Sequence, residues 1–483
     1  MAVPDGFGRA DGTPQERDEQ APSLAEGARL LAIILTATLF SVMNSTMVNV
    51  AIPSFMRDFH IGLAASVWLY TGYVLPYAIS TPLFGVLGEH VGAKRVFIAG
   101  CVAFLITSLL CSTAWGFAPL LVFRALQALA SGAVVANALV LVTAGFPRRQ
   151  RGLVLGIWSA VSGVAVSIGL TLAGWLIEYE SWRAIFWVNA PFLLAVAIVG
   201  SKCITELPRS ARGREFDITG GVVLAIGVGG LILALTEGQL AGWTSAITLA
   251  LFVIAPLGIV TFLLWESRTA DPLMPRSLVR RPAYAFASAT MFLQSVVFFG
   301  LFLLLPLYLQ ELRGRTPLET GIMTLPLSVV LIVVGPLAGR LSSRIGPRLP
   351  TTAGLLLIAA GSAVLSRLTL QSGYPLLAAG LVITGIGIGA SISPLTSTAM
   401  SAAASDERGA ASGFFNLVRF VGAVIGTTLL STILSTRTSA AASTGMAHLP
   451  AMAQGFHDVY LAAAALALVG VVAALFIPPA RPA

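Results

Sequence analysis

Apolar runs of about 20 residues, broken by short charged segments, recur from one end of this sequence to the other. A helical run of that length matches the hydrocarbon core of a bilayer, about 30 Å at 1.5 Å per residue. No other feature constrains the fold so tightly, because a chain inside lipid must satisfy every backbone N–H and C=O internally. The runs are continuous rather than alternating, which selects helices over a barrel. Composition agrees: with 56% apolar and only 10% charged residues, and a mean hydropathy of +0.88, the 483 residues lack the polar surface of a soluble chain. The expectation is an all-α integral membrane protein with about fourteen transmembrane helices. Residues 1–27 are polar and proline-containing, and read as a disordered tail rather than a cleaved signal.

The net charge of +8 is distributed in a way that excludes nucleic acid as a partner. Basic residues cluster in alternate short loops: EHVGAKR (89–95), PRRQR (147–151), KCITELPRSARGRE (202–215), ESRTADPLMPRSLVRR (266–281) and RLSSRIGPR (340–348). That alternation follows the positive-inside rule, and no basic face interleaved with aromatics exists to follow a phosphate backbone. The rule places these loops and both termini on the cytoplasmic side of the plasma membrane.

Two of the basic loops are also copies of one another. GVLGEHVGAKR (85–95) and GRLSSRIGPR (339–348) share the glycine pairs Gly85/Gly92 and Gly339/Gly346, an intervening leucine, and a basic end carrying Lys94 and Arg95 or Arg340 and Arg344. Two halves of like topology are one way transporters are built. The expected division is a six-helix bundle over 28–205, an inserted two-helix hairpin over 216–266, and a second six-helix bundle over 282–479.

The chain resembles the fourteen-span drug:proton antiporter branch of the major facilitator superfamily along almost its whole length. The residues that carry the resemblance are NSTMVNVAIP (44–53), GVLGEHVGAKR, RALQALASGA (124–133), SWRAIFWVNAPF (181–192), FDITG (216–220), GRLSSRIGPR and ERGAASGFFNLVRFVGAVIG (407–426). The resemblance implies two six-helix bundles around a central cavity that opens alternately to each side. It also implies a latch at the first repeated loop, where Glu89 stands in place of the family's usual aspartate, and a cavity position with a part in proton coupling for Arg124. In the fifth span, GVAVSIGLTLAGW (163–175) departs from the family pattern, with Leu170 in place of a proline.

The residues themselves point the same way. An arginine inside a span costs about 2.5–3.5 kcal/mol on insertion scales, so Arg124 faces a cavity or a partner. Gln127 and Asn137 lie on neighbouring faces of the same run. Asn44 and Asn49 are amides at membrane depth, and Tyr73, Gln294, Asn416 and Arg419 are the other polar side chains expected at the cavity. The family commonly has an aspartate where Asn44 stands, and an amide cannot titrate. No acidic residue falls near the centre of any span, so coupling would have to use an edge carboxylate such as Glu178 or Glu89. The expected function is export of small amphipathic compounds (drugs, antibiotics or a natural product) by alternating access and driven by protons. The alternative is an uncoupled facilitator or a carrier of lipid-like amphiphiles. Partners are then a small amphipathic substrate, protons and membrane lipids. No Walker-type loop is present to use ATP, the four histidines are too scattered for a metal site, and no clustered nucleophile and base suggest an enzyme, so no cofactor is expected.

Overall fold

The computed structural model describes residues 24–144, 146, 148–206, 217–269, 274, 276–403 and 408–478, so most of the expected 1–27 tail lies outside the described residues. All regular elements among them are helical. The first set comprises α1 (Leu24–Phe59), α2 (Leu63–Val91), α3 (Ala93–Ser112), α4 (Phe117–Ala144), α5 (Arg148–Tyr179), the short α6 (Ala184–Trp187) and α7 (Ala190–Cys203). Helices α8 (Ile218–Leu240) and α9 (Ala246–Glu266) form a hairpin. After the single turn α10 (Arg276–Val279), α11 (Pro282–Leu307) runs on through a π-helical turn, Tyr308–Leu312. Then follow α12 (Pro317–Ile345), α13 (Arg348–Leu365), α14 (Tyr374–Ala402), α15 (Arg408–Ser443) and α16 (His448–Leu475). Twelve helices among the described residues are long and apolar enough to cross a membrane. The remaining long helices, α2 and α5, are not among the twelve.

The repeat glimpsed in two loops extends to the packing. Helix α4 lies against α2 and α3, as α14 lies against α12 and α13. Helix α1 packs on α5 and α7, as α11 packs on α15 and α16, and α3 meets α7 as α13 meets α16. The two sets touch chiefly along two seams, α5 on α12 and α2 on α15, which are each other's counterparts under the repeat, and α1 also meets α11. Helix α8 of the hairpin pairs with α9 and reaches the other helices at α2 and α15, beside the second seam.

Lipid offers helices no hydrophobic gain for associating, so close approach at small residues holds them. Gly100 of α3 and Gly354 of α13 show how closely the halves correspond. A Cβ on Gly100 would lie 3.2 Å from the Ala130 carbonyl and 3.1 Å from the Val134 nitrogen. On Gly354 it would lie 2.6 Å from the Gly387 carbonyl and 3.1 Å from the Ser391 nitrogen. Both repeated loops turn on their second glycine, with φ of +117° at Gly92 and +87° at Gly346, a region an L side chain rarely adopts. Helix α5 runs unbroken through Leu170, where a proline would remove a backbone hydrogen bond.

Candidate functional site

Among the described residues of the first set Arg124 is the largest fully buried side chain, only 1% exposed. Its Nη1 donates to Asn44 Oδ1 of α1 at 2.8 Å and to Gln127 Oε1 of its own helix at 2.7 Å. Gln127 passes the chain on, its Nε2 donating to Ser108 Oγ of α3 at 2.6 Å. The guanidinium carbon stands 4.1 Å from the centre of the Tyr73 ring of α2 and 5.8 Å from that of Phe186 in α6. Ser41 of α1 and Ser131 of α4 share a hydrogen bond and flank the Tyr73 hydroxyl. Four helices therefore converge on one cation that is held by amides and π-faces rather than by an acid. Arg124 Nε and Asn44 Nδ2 are buried donors with no protein acceptor. Among the described residues the buried carboxylate is Glu266, at the end of α9, where it accepts from the Met274 amide.

The tyrosines of α2 carry this centre to the seam with α15. Tyr73 stacks on Tyr77 with centroids 6.0 Å apart, and Tyr77 meets Phe420 of α15 edge-on at 5.1 Å. Tyr70 lies 6.1 Å from Phe299 of α11. Arg419 of α15 stands 5.1 Å from the Phe420 ring, with Tyr70 and Tyr77 within its electrostatic reach and its Nε buried without an acceptor. Two arginines, one from each set of helices, thus flank a single tyrosine row at their junction.

The other expected site residues do different work. Asn137 donates from Nδ2 to the Phe84 and Ala133 carbonyls at 2.9 Å each, and a Cβ on Gly88 would run into its Oδ1, so it fastens α4 to α2. Gln294 fastens α11 to α14 through Ser391 Oγ at 2.7 Å and the Ile388 carbonyl at 3.3 Å. Asn416 donates to Ser412 O of its own helix. Asn49 is buried with its Oδ1 unpaired, while one residue on, the Val50 carbonyl accepts from Gln310 Nε2 of the π-helical turn at 3.0 Å. Glu178 is exposed and accepts the Leu318 N–H in the first turn of α12 at 3.1 Å, a bridge across the α5–α12 seam. There a Cβ on Gly174 would lie 2.8 Å from the Leu318 Cα, and one on Gly321 2.6 Å from the Leu170 carbonyl.

At the first repeated loop the side chain of Glu89 lies outside the described ones. The carboxylate that closes this turn comes from Glu206, beyond α7. It accepts the Lys94 N–H at 3.1 Å, approaches Arg95 Nε at 3.7 Å, and would lie 2.6 Å from a Cβ on Gly92. Arg340 and Arg344 of the second loop are exposed. Sequence reasoning passed over Glu206, Ser108, Ser41 and Ser131. Small hydroxyls inside spans were the available signal for the three serines, since such groups need a partner in lipid. Nothing in the local sequence points Glu206 at a turn more than a hundred residues away.

The Major Facilitator Superfamily sequence profile matches residues 34–217 and 207–427. The chain belongs to that superfamily. It is 34% identical to the multidrug resistance protein Stp of Mycobacterium tuberculosis over 415 residues, covering 85% of this chain and 77% of that one. It is 31% identical to the tetracenomycin C resistance and export protein of Streptomyces glaucescens (84% and 76% covered), and 34% identical to the puromycin resistance protein pur8 of Streptomyces alboniger (85% and 82%). Among solved structures, a bacterial homologue of the human lysosomal transporter Spinster, inward-facing, superposes with a TM-score of 0.70 at 17% identity, over 94% of this chain and 98% of that one. This member of the superfamily is a multi-pass membrane transporter, and its buried Arg124 centre lies within the first set of helices, joined through Tyr73 and Tyr77 to the seam with the second.

Proposed function

We propose that the chain exports small amphipathic compounds across the plasma membrane by alternating access, with fourteen spans and with the basic loops and both termini in the cytoplasm. The moving bodies are the bundles over 28–205 and 282–479, with the 216–266 hairpin beside them. The relatives named for resistance to puromycin and for resistance to and export of tetracenomycin C support an antibiotic-like cargo. The observation that carries the reading is the buried Arg124–Asn44–Tyr73 centre, a cation with unpaired donors and aromatic faces but no acid. Such a centre favours neutral, zwitterionic or anionic amphiphiles that bring hydrogen-bond acceptors to Arg124 Nε and Asn44 Nδ2, because a buried unpaired donor costs about 1–3 kcal/mol.

Proton drive is assigned to an edge carboxylate. Glu178 spans the α5–α12 seam at its end remote from the basic loops, and protonation would weaken its grip on the first turn of α12. The test is transport of a neutral antibiotic into proteoliposomes with and without an imposed pH gradient. A gradient-dependent rate that Glu178→Gln abolishes is the expected result. Equal rates would reject coupling and leave the second reading, an uncoupled facilitator, which the amide at position 44 favours.

A further inference from the structure

The chain carries a second repeat, RGLVLGIWSAVSGVAVSIG (151–169) in α5 and RGAASGFFNLVRFVGAVIG (408–426) in α15, which share R-G, a later G, V and a final I-G. In that register Arg419 stands where α5 has Ser162. The loop repeat likewise sets Tyr70 and Tyr77 of α2 against Thr324 and Leu331 of α12. The α5–α12 seam therefore does without this arginine and both tyrosines. There the Thr324 hydroxyl donates within its own helix, to the Thr320 and Gly321 carbonyls at 3.0 and 2.9 Å. The α2–α15 seam keeps donors that no protein acceptor meets. Among the described residues, Arg419 Nε on one side and the Tyr70 hydroxyl on the other are both buried and unpartnered.

No acid answers Arg419 at its own level. Helix α15 carries none, and of the helices packed on it α11 and α14 carry none either. Asp458 of α16 pairs with Arg437 at 3.3 Å. Glu237 of α8 and Glu89 of α2 stand in the last turns of their helices, and Glu89 lies about 18 Å along the axis from Tyr77. A half-buried guanidinium without a counter-charge raises the local potential and draws an anion. Its Nε and Nη edge matches the two oxygens of a carboxylate. Aromatic rings surround it. Phe420 lies 5.1 Å from the guanidinium and meets Tyr77 edge-on at 5.1 Å, while Tyr70 lies 6.1 Å from Phe299. Tyr70 and Tyr77, two turns apart on one face of α2, are both within electrostatic reach of Arg419.

We propose that Arg419 and Tyr70 form a second recognition site, which takes the carboxylate of an aromatic acid from both sides of the seam while the acid's ring packs on Tyr77 and Phe420. The site is separate from the Arg124 centre, because it joins the two halves whereas that centre lies within the first. It rests on the export reading only for its role, which is to name aromatic acids as a class of cargo. Binding itself depends on neither export nor proton drive.

The test is equilibrium binding of 2-naphthoate and of its neutral isostere 2-naphthamide to the full chain in phosphatidylcholine nanodiscs. The wild type should bind the naphthoate about tenfold tighter than the amide. Arg419→Gln should bring that ratio below about twofold, and Arg419→Lys, which keeps the charge and loses the fork, should retain about threefold. Tyr70→Phe should weaken naphthoate about fivefold, the share of one hydrogen bond. Octanoate, with the same head group on an alkyl chain, should bind less tightly than naphthoate. No preference in the wild type, a preference that survives Arg419→Gln, or octanoate binding as tightly as naphthoate overturns the proposal. Transport of a neutral antibiotic is measured in parallel in proteoliposomes. Its absence with the preference intact rejects export alone, and transport without the preference rejects this site alone.

Discussion

The two halves of this transporter share a scaffold and differ in what they bury at its centre. The glycine contacts of α3 with α4 and of α13 with α14 put Leu381 and Thr384 at the places of Arg124 and Gln127, and Ser362 at the place of Ser108. In the first half these positions hold a cation and a three-member hydrogen-bond chain. In the second, Leu381 and Thr384 border a small void of about 20 Å3 with Phe298, Leu327 and Tyr460. The second half has its arginine on α15 instead, packed against Phe420 at the junction. Helix pairing is thus set by glycines and apolar surface common to both repeats, while the chemistry sits in a few positions free to diverge.

Removing the cation breaks the contrast most severely. Arg124→Leu makes the first half like the second, and strips Asn44 and Gln127 of charge-assisted bonds worth about 1.5–3 kcal/mol each. Transport in proteoliposomes should fall about a hundredfold, the equivalent of ~2.8 kcal/mol. Retained transport would show that the two centres are interchangeable.

The scaffold itself is tested at Gly426 and its counterpart Gly169. A Cβ on Gly426 would run into the Val296 backbone carbonyl, whereas on Gly169 it meets first the Thr46 hydroxyl, which can rotate. Gly426→Ala should cost about 3 kcal/mol and Gly169→Ala about 1 kcal/mol, the span seen for overpacking. Thermal unfolding of the purified variants would rank them, and equal losses would remove the distinction.

Selectivity is the next lever. Asn44→Asp places a carboxylate where the Asn44 amide oxygen now lies, 2.8 Å from Arg124 Nη1. Tolerance of cells to cationic dyes should rise about tenfold relative to neutral antibiotics, a difference of ~1.4 kcal/mol. An unchanged ratio would detach substrate charge from this centre. The mildest change is Gln294→Leu, which removes the two bonds from α11 to α14, worth about 1 kcal/mol each, and should alter transport less than about threefold. A larger loss would give the second half a polar centre of its own.

Much of this architecture was legible in the sequence, because apolar runs of bilayer length leave a chain few choices and basic loops mark the turns. The 85–95 and 339–348 copies disclosed the repeat, and both of their second glycines proved left-handed. The α5 and α15 copies were equally present in the letters but are spread over a whole span, where common small residues dilute the match. At the site, Arg124, Asn44, Gln127 and Tyr73 stood out as polar or amphipathic groups at depth, and they do converge. Asn137 and Gln294 carried the same signal and serve helix packing, since depth is written in sequence position while the facing direction depends on neighbours chosen by the fold. Glu206 closes its turn from another helix end, which no local pattern encodes.

The guanidinium of Arg124 carries a delocalised positive charge, and the amide that receives its hydrogen bond cannot answer that charge. The unloaded carrier therefore holds a fixed positive charge deep in the low-dielectric interior. A membrane voltage acts on such a charge with up to about 2.3 kcal/mol per 100 mV as the surrounding field is redistributed between the two access states. An anionic cargo would cancel it and make the loaded step electrically silent, so that the cell's resting voltage would set the pace of the empty return.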